Sequence, residues 1–252
     1  MTEIIEAGYD ASQRAPLPVA RTRFDTLRHQ ASLALLAGID LPREALVLDV
    51  GCGEGAVMMG IQEITPLATV IGMDLAVGSF HIGRRVRLNL IRGTAEELPF
   101  KTDHMDLVLA LEVVEHLRHP EKLLEESHRV LRPGGHFLLS TPNRNSITGL
   151  SGRFLFPLAG RTWNAWDGTH QKVFSPGEVA TMLTSLKFEV LKQAGFWFIP
   201  DIPYLKALVG RLGPRKRLVS PDETPLGVTW GFISMFLARK NRLNRELHGS
   251  RA

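Results

Sequence analysis

The stretch Val47–Ala56, VLDVGCGEGA, decides the fold that we predict for this chain. The apolar run Ala45–Val50 is short and rich in branched side chains, which is typical of a buried parallel strand. A tight loop whose backbone can approach a ligand is predicted from three alternating glycines: Gly51, Gly53 and Gly55. A helix is predicted over Glu54–Ile64. Strand, glycine loop and helix form the layout of a nucleotide site at the carboxyl end of a sheet.

Charged residues around the loop indicate which ligand it takes. The spacing Gly51-x-Gly53-x-x-Ala56 also satisfies the dinucleotide pattern, and a dinucleotide would place its pyrophosphate at the helix N-terminus. Asp49 closes the strand and Glu54 opens the helix, so two carboxylates would repel that pyrophosphate. They suit a cationic ligand instead, such as the ammonium and sulfonium of S-adenosylmethionine. The alternative is a bare strand–helix turn with acidic solvation.

This loop resembles the cofactor loop of the class I S-adenosylmethionine-dependent methyltransferases. Asp74 follows a second apolar run, Ala68–Met73, where an acid would bind ribose hydroxyls; a strand-end or N-cap role is the alternative. Gly93–Phe100 is similar to the segment of that family that lines the adenine. Charge and resemblance together imply S-adenosylmethionine as the cofactor and the following cofactor-binding residues: Asp49, Gly51, Cys52, Gly53, Glu54, Asp74, Leu75, Thr94, Ala95, Glu96, Leu111 and Glu112.

The composition is that of an ordinary globular protein. With 252 residues, 44% of them hydrophobic and 22% charged, the chain can form one large α/β domain or two small ones. A scattered net charge of +4 does not indicate nucleic acid binding. Cys52 is the only cysteine, which excludes an intrachain disulfide and favours a reducing, cytoplasmic compartment. We interpret its side chain as a small filler of the turn, with a catalytic thiol as the alternative. The sequence predicts neither a signal peptide nor a transmembrane helix.

Strands that alternate with helical stretches predict a parallel sheet with right-handed crossovers. The predicted strands are Ala45–Val50, Ala68–Met73, Val86–Arg92, Met105–Leu111, His136–Thr141, Phe188–Ala194 and Thr229–Ala238. By resemblance, the last two form the closing hairpin of the family, and Pro133-Gly134-Gly135 is a turn before the fifth strand. The expected fold is therefore a Rossmann-like, doubly wound α/β sheet of seven mostly parallel strands with an antiparallel last strand.

One methyltransferase domain is expected over residues 1–252. Its parts are an N-terminal arm and amphipathic helix (1–44), a cofactor-binding core (45–141), two insertions that cap the acceptor site (142–175 and 196–228), and a basic tail (239–252).

Two histidines are candidates for a general base. By resemblance, His116 lies near the methyl group, and His170 lies in Thr169–Pro176, which together with Thr141–Arg144 is similar to the O-methyltransferases of ubiquinone biosynthesis. A histidine with its ordinary pKa can accept a proton at neutral pH, and a positioned base contributes about 10²–10⁴-fold. The alternatives are that His116 packs beneath the site and that His170 anchors the insertion through a structural hydrogen bond.

The same region contains residues that could ligate a metal: Glu112, Glu115, His116 and His119. The i, i+3 spacing of His116 and His119 is not a closed zinc pattern, so no metal is predicted.

The insertions suggest what the acceptor is. Trp163, Trp166 and Trp197 lie in or beside them, and aromatic rings can stack on a flat acceptor or simply pack the insertions. Tyr204–Leu212 has one apolar face and basic neighbours, which predicts either peripheral membrane contact or a plain surface helix. The expected partner is a small aromatic or lipid-like molecule and not a nucleic acid; the oligomeric state is left open.

The leading functional hypothesis is S-adenosylmethionine-dependent methyl transfer to a small apolar or aromatic acceptor, most simply to oxygen. C- or N-methylation stays open because the nucleophile belongs to the substrate. A nicotinamide-dependent oxidoreductase is disfavoured by the acidic pair Asp49 and Glu54, and a non-catalytic scaffold by the intact glycine loop and Asp74.

Overall fold

The computed structural model describes residues 19–53, 55–76, 89–146, 149–150, 169–196 and 221–241, with side chains from residue 28 onward. The strands are β1 (Leu46–Val50), β2 (Thr69–Asp74), β3 (Asn89–Arg92), β4 (Met105–Leu111), β5 (Leu131–Pro142), β6 (Phe188–Phe196) and β7 (Ile233–Lys240). The helices are α1 (Val19–Leu36), α2 (Ala56–Ile64), α3 (Pro120–Val130), α4 (Pro176–Ser185) and α5 (Pro225–Trp230), with a 3₁₀ turn at Val114–His116.

The seven strands of the described residues form one sheet in the order β3-β2-β1-β4-β5-β7-β6. The five strands from β3 to β5 are mutually parallel. β7 lies between β5 and β6 and is antiparallel to both. The predicted fold class, including the antiparallel last strand, is confirmed.

The sheet is buried on both faces. Every residue of β4 is buried, and its side chains alternate between two cores because strand periodicity is two. Leu107 and Leu109 pack on the side of α1 and α2, whereas Val108 and Ala110 pack on the side of α3 and α4. A continuous apolar run without polar alternation is what such a doubly covered strand requires.

Two predicted boundaries are wrong for identifiable reasons. Thr229 and Trp230 belong to α5 instead of the last strand, because Thr224 caps that helix with its hydroxyl and Pro225 occupies its first turn. β7 consequently begins at Ile233, and it continues through Lys240, into the predicted basic tail 239–252.

The second correction concerns Pro133-Gly134-Gly135, which lies within β5 and not in a turn before it. The pairing with β4 jumps from Met105–Leu131 to Leu107–His136, and Gly134 adopts a φ of 84°. Extra residues opposite a partner strand form a bulge, and glycine accommodates the positive φ that such a bulge requires.

Several sequence predictions concern residues outside the described part of the chain. These are Glu54, most of both acceptor insertions with Trp163, Trp166 and Trp197, the segment Tyr204–Leu212, the arm before residue 19 and the tail after residue 241. Among the described helices, none is both long and apolar enough to cross a membrane.

Candidate functional site

The glycine loop lies where the carboxyl ends of the parallel strands meet, and backbone hydrogen bonds fasten it to β2. The backbone N–H groups of Gly51 and Cys52 both donate to the Met73 carbonyl, at 2.7 and 3.2 Å. The N–H of Gly53 donates to Oδ2 of Asp74 at 2.9 Å. The neighbouring strand thus fixes the position of the loop.

The loop glycines have different structural roles. Gly51 has a φ of 70°, and a Cβ there would lie 2.4 Å from Cγ2 of Val113. Gly53 has a φ of 52°, but a Cβ there would meet no described atom within 4 Å. Gly51 is therefore required by packing, whereas Gly53 faces open space where a ligand can lie against the backbone.

Asp74 both shapes the loop and offers acceptors to a ligand. Besides the bond from Gly53, its Oδ1 accepts from the N–H of Ala76 at 2.9 Å. Burial raises the pKa of Asp74, and the N–H groups of Ala76, Gly53 and Leu75 offset part of that rise. Each carboxylate oxygen has two lone pairs, so capacity remains for ribose hydroxyls.

Asp49 is buried at the end of β1, close to Asp74. Burial and the charge of Asp74 raise the pKa of Asp49 to about 7, although Arg28 acts in the opposite direction. The pair of acids makes this part of the site favourable for a cation. Glu54, the second acid predicted to flank the loop, lies outside the described residues.

Cys52 is buried beneath the loop. Its Sγ would lie 2.8 Å from a Cβ placed on Gly72, so the side chain fills the space that the glycine leaves. Burial, Asp49 and Asp74 all raise the pKa of the Cys52 thiol, which disfavours the thiolate that a catalytic role would require. A packing role agrees with both observations.

The predicted adenine segment is held by α3. Glu126 accepts from the N–H of Leu98 at 2.8 Å, and Arg129 donates to the carbonyls of Leu98 and Phe100 at 2.9 and 2.8 Å. Arg129 also binds the Glu126 carboxylate at 2.7 Å. A charged pair thus fixes this segment against the helix.

The predicted residues of that segment make contacts within it and with the residue that precedes α3. The Thr94 hydroxyl accepts from the N–H of Glu96 at 3.2 Å, Ala95 is buried, and Oε1 of Glu96 accepts from the backbone N–H of His119 at 3.2 Å. Leu75 is partly buried at the end of β2, beside Asp74.

Leu111 and Glu112 end β4 at the same edge. Glu112 has a φ of 58°, its N–H donates to the Ser140 carbonyl at 3.0 Å, and its Oε1 accepts from the Ser140 hydroxyl at 2.8 Å. Non-glycine residues seldom adopt such a φ, and they do so mainly at sites where the surroundings hold them. Glu112 is therefore fixed in position by β5.

Arg28 is a site residue that the sequence analysis missed. It extends from α1 to within 3.9 Å of Oε2 of Glu112, and it lowers the pKa values of Asp49 and Glu115. The sequence does contain a pattern that marks Arg28, because it shares a helical face with Ala31 and Leu35, which are buried. A charged residue on the apolar face of a helix needs a polar partner.

The two candidate bases, His116 and His170, lie together despite their separation in sequence. Their ring centroids are 4.7 Å apart, with the rings inclined at 71°. Oγ1 of Thr169 is 2.9 Å from Nδ1 of His116, and the Glu115 carbonyl accepts from the N–H groups of Gln171 and Lys172 at 2.8 and 3.2 Å. The segment that carries His170 is thereby fixed on the 3₁₀ turn that carries His116.

Glu115 lies beneath the histidines with its side chain completely buried. Its Oε2 accepts from the Thr141 hydroxyl at 3.1 Å, and its Oε1 is 4.0 Å from Nε2 of His116. Burial and the charge of Glu112 raise its pKa well above the ordinary value. His119, by contrast, is exposed and lies 3.4 Å from Glu121.

Comparisons with known proteins agree with this arrangement. Residues 48–139 match the methyltransferase domain family. A protein of Mycolicibacterium smegmatis named probable S-adenosylmethionine-dependent methyltransferase is 37% identical over 167 residues, which cover 65% of this chain and 60% of that protein. A ubiquinone biosynthesis O-methyltransferase of Paracidovorax citrulli is 31% identical over 170 residues, covering 61% of this chain and 67% of that protein.

Among solved structures, a S-adenosylmethionine-dependent methyltransferase from Thermotoga maritima superimposes with a TM-score of 0.66 at 18% identity. The match covers 96% of this chain and 100% of that chain, and it establishes the fold. The chain spans about 60% of the length of the curated relatives that it matches first.

Proposed function

This chain belongs to the class I S-adenosylmethionine-dependent methyltransferases, and on that premise we propose that it transfers the sulfonium methyl group to an oxygen of a small acceptor. In this reaction the acceptor O–H loses its proton, the O–C bond forms and the S–C bond breaks. The sulfur leaves as neutral S-adenosylhomocysteine. The observation that carries the proposal is the open space at Gly53, beside Asp74 and the cation-favouring Asp49.

The residues of the loop fit the family's cofactor. S-adenosylmethionine carries two ribose hydroxyls and two cationic groups, and it supplies the activated methyl. Asp74 would accept hydrogen bonds from the ribose, and Asp49 would stabilise the positive charges. Gly53 leaves room for the ligand against the backbone. Thr94, Ala95 and Glu96 are proposed to border the adenine.

The histidine pair supports an acceptor with an acidic O–H. His116 and His170 are partly buried at the carboxyl edge, beyond the end of β4. A histidine there would take the acceptor's proton as the methyl is transferred. Because the leaving group is neutral, alignment of the acceptor oxygen with the methyl would contribute most, about 7–11 kcal/mol in well-oriented systems.

The acceptor class is supported by the names of similar proteins. Several similar proteins are named ubiquinone biosynthesis O-methyltransferases, which agrees with an aromatic or lipid-like phenol. We propose that the aromatic insertions bind this acceptor and that the protein works in a reducing, cytoplasmic compartment, since Cys52 is the only cysteine.

Calorimetric titration with S-adenosylmethionine, S-adenosylhomocysteine and NADH tests the cofactor. We expect micromolar binding of the first two, no binding of NADH, and a loss of affinity in Asp74→Ala. Asp40→Ala, a change of the same kind at an exposed position, serves as the matched control. Preference for NADH, or equal affinities in the two variants, would overturn the cofactor site.

Methyl transfer itself is tested by incubating the protein with labelled S-adenosylmethionine and a panel of phenols and lipid-like acids. Product is identified by mass spectrometry. Methylation on carbon or nitrogen would contradict the proposed oxygen acceptor while leaving the cofactor site intact.

A further inference from the structure

Glu96 connects the predicted adenine segment to the turn that carries His116. Its backbone is held by Thr94, whose hydroxyl accepts from the Glu96 N–H at 3.2 Å. Its side chain leaves the segment, and Oε1 accepts from the backbone N–H of His119 at 3.2 Å, 23 residues further along the chain. Given the proposed cofactor site and the proposed role of His116 as a base, we propose that Glu96 is a positioning residue. Through His119 it lets adenine binding order the histidine.

The Glu96 carboxylate completes the start of α3. His119 is the N-cap residue of this helix, and its own side chain makes no capping hydrogen bond. Pro120 follows it in the first turn and has no N–H to donate. The N–H groups at a helix start need partners from outside the helix, and a negative charge there interacts favourably with the helix dipole. Glu96 supplies both an acceptor and a charge, so it fixes the point at which the chain enters α3.

The chain between His116 and His119 is short. Leu117 has an extended backbone, its N–H donates to the Val114 carbonyl at 3.4 Å, and its side chain packs on the core that α3 covers. Three residues of extended chain span at most about 10 Å. There is consequently little slack between the N–H that Glu96 holds and the backbone of the histidine.

The other end of α3 is tied to the same segment. Glu126 accepts from the N–H of Leu98, and Arg129 donates to the carbonyls of Leu98 and Phe100. With 11 residues, α3 is about 16 Å long, so the adenine segment contacts both its first and its last turn. A movement of the segment is therefore transmitted to the whole helix, and the contact of Glu96 is the one next to the histidine.

The acceptor half holds the same turn from another direction. The Glu115 carbonyl accepts from the N–H groups of Gln171 and Lys172, and Oγ1 of Thr169 lies 2.9 Å from Nδ1 of His116. The turn thus lies between the adenine segment and the segment that carries His170. A ligand that orders one segment lowers the entropy cost of ordering its neighbour. Cofactor binding would in this way prepare the acceptor half before the acceptor arrives.

Hydrogen exchange of the full chain, followed by mass spectrometry, tests the role of Glu96. Each protein is compared with and without saturating S-adenosylhomocysteine, at residues 51–53 of the glycine loop and at residues 116–119. In the wild type we expect slower exchange at both places, by about fivefold at residues 116–119, as for the strengthening of one hydrogen bond. Glu96→Ala should abolish the slowing at 116–119 and retain it at 51–53. Glu96→Gln should behave as the wild type, because its amide oxygen accepts the same hydrogen bond.

Glu121→Ala is the matched control. Glu121 places a carboxylate 3.4 Å from the His119 ring, at the same helix end, but it belongs to α3 and not to the adenine segment. We expect thermal unfolding to shift by similar amounts in Glu121→Ala and Glu96→Ala. Only Glu96→Ala should lose the slowing at residues 116–119. An equal loss of slowing in both variants would assign the effect to helix stability and overturn the positioning role.

The glycine loop separates this proposal from the proposed function. If the ligand protects residues 51–53 in the wild type, the cofactor site stands. Slowing at 116–119 that persists in Glu96→Ala, or that is absent from the wild type, then overturns the positioning role alone. If the ligand leaves residues 51–53 unprotected and calorimetry detects no binding, the cofactor site is overturned and the role of Glu96 with it.

Discussion

The two halves of the site are built differently. The cofactor half is local: the glycine loop is held by the Met73 carbonyl and by Asp74, both at the end of the adjacent strand. The acceptor half is assembled from distant segments, since His116 meets His170 and Asn143 meets the backbone near residue 230. The first half therefore depends on contacts with one adjacent strand, and the second half depends on contacts between segments that are far apart in the sequence.

The largest effect should come from Gly51→Ala in the cofactor half. A Cβ at this position overlaps Val113 and requires a strained φ, so we expect a loss of about 2–4 kcal/mol in the free energy of unfolding. Urea denaturation measures it. Gly53→Ala is the matched control, because it carries the φ strain without the overlap. Gly53→Ala should lower the free energy of unfolding by about 1–2 kcal/mol. It should also weaken cofactor binding, by more than this loss of stability explains. Equal stabilities of the two variants would contradict this division of roles.

Asn143→Ala tests the acceptor half. The buried Asn143 amide donates to the carbonyls of Thr229 and Gly231 at 3.0 and 2.9 Å, and its loss leaves both without this donor. We expect about 2–3 kcal/mol of destabilisation by thermal unfolding, with cofactor affinity retained. Asn145→Ala, the same change at a neighbouring position, is the control and should hardly alter the thermal stability. A parallel loss of cofactor affinity in the folded variant would show that the halves are coupled.

The pH dependence of cofactor affinity tests the charge of the first half. Below its pKa of about 7, Asp49 is protonated and must lose a proton when a cation binds; above it, the carboxylate is already charged. Affinity should therefore rise as pH increases through 7, by about tenfold for each unit by which binding lowers the pKa. Calorimetry one unit either side of 7 measures this. Asp49→Asn should bind the cofactor more weakly, and its affinity should no longer rise with pH near 7. If the variant keeps the pH profile of the wild type, Asp49 is not the group responsible for the pH dependence.

Glu126→Gln should give the smallest effect. Its hydrogen bonds from Arg129 lower the pKa of Glu126, so the pair stabilises the fold above pH 4.5 and this contribution disappears as pH falls through the lowered value. For such a partly exposed pair we expect about 0.5–1 kcal/mol at neutral pH and no difference in strong acid. Urea unfolding of the wild type and the variant at neutral pH and in strong acid tests this. If the variant loses the same free energy of unfolding at both pH values, the charge of Glu126 is not the cause of the destabilisation.

The comparison also explains what the sequence could predict. The glycines within Val47–Ala56 are enough to predict the loop. A continuous apolar run such as Met105–Leu111 is enough to predict a strand that is covered on both faces, so the sheet was predictable as well. The contact between His116 and His170 joins residues that are far apart in the sequence, and no local sequence pattern predicts such a contact. The stretch Thr229–Ala238 predicts one strand, although the cap at Thr224 places Thr229 and Trp230 in a helix. Arg28 carries a charge on the helical face of the buried Ala31 and Leu35, but its partners on the strands are distant in the sequence.

The position of β7 has a consequence for synthesis. Among the described strands, β7 is the last to leave the ribosome, yet it joins β5 to β6. Within the described residues, β6 pairs with no other strand, so a nascent chain that lacks β7 leaves β6 without a paired strand and β5 with an open edge. Lys240 anchors the end of β7, because its buried ammonium donates to Asp103 and to the carbonyls of His128 and Leu131. The cofactor half can thus form while the chain is still growing, whereas completion of the sheet awaits its last strand.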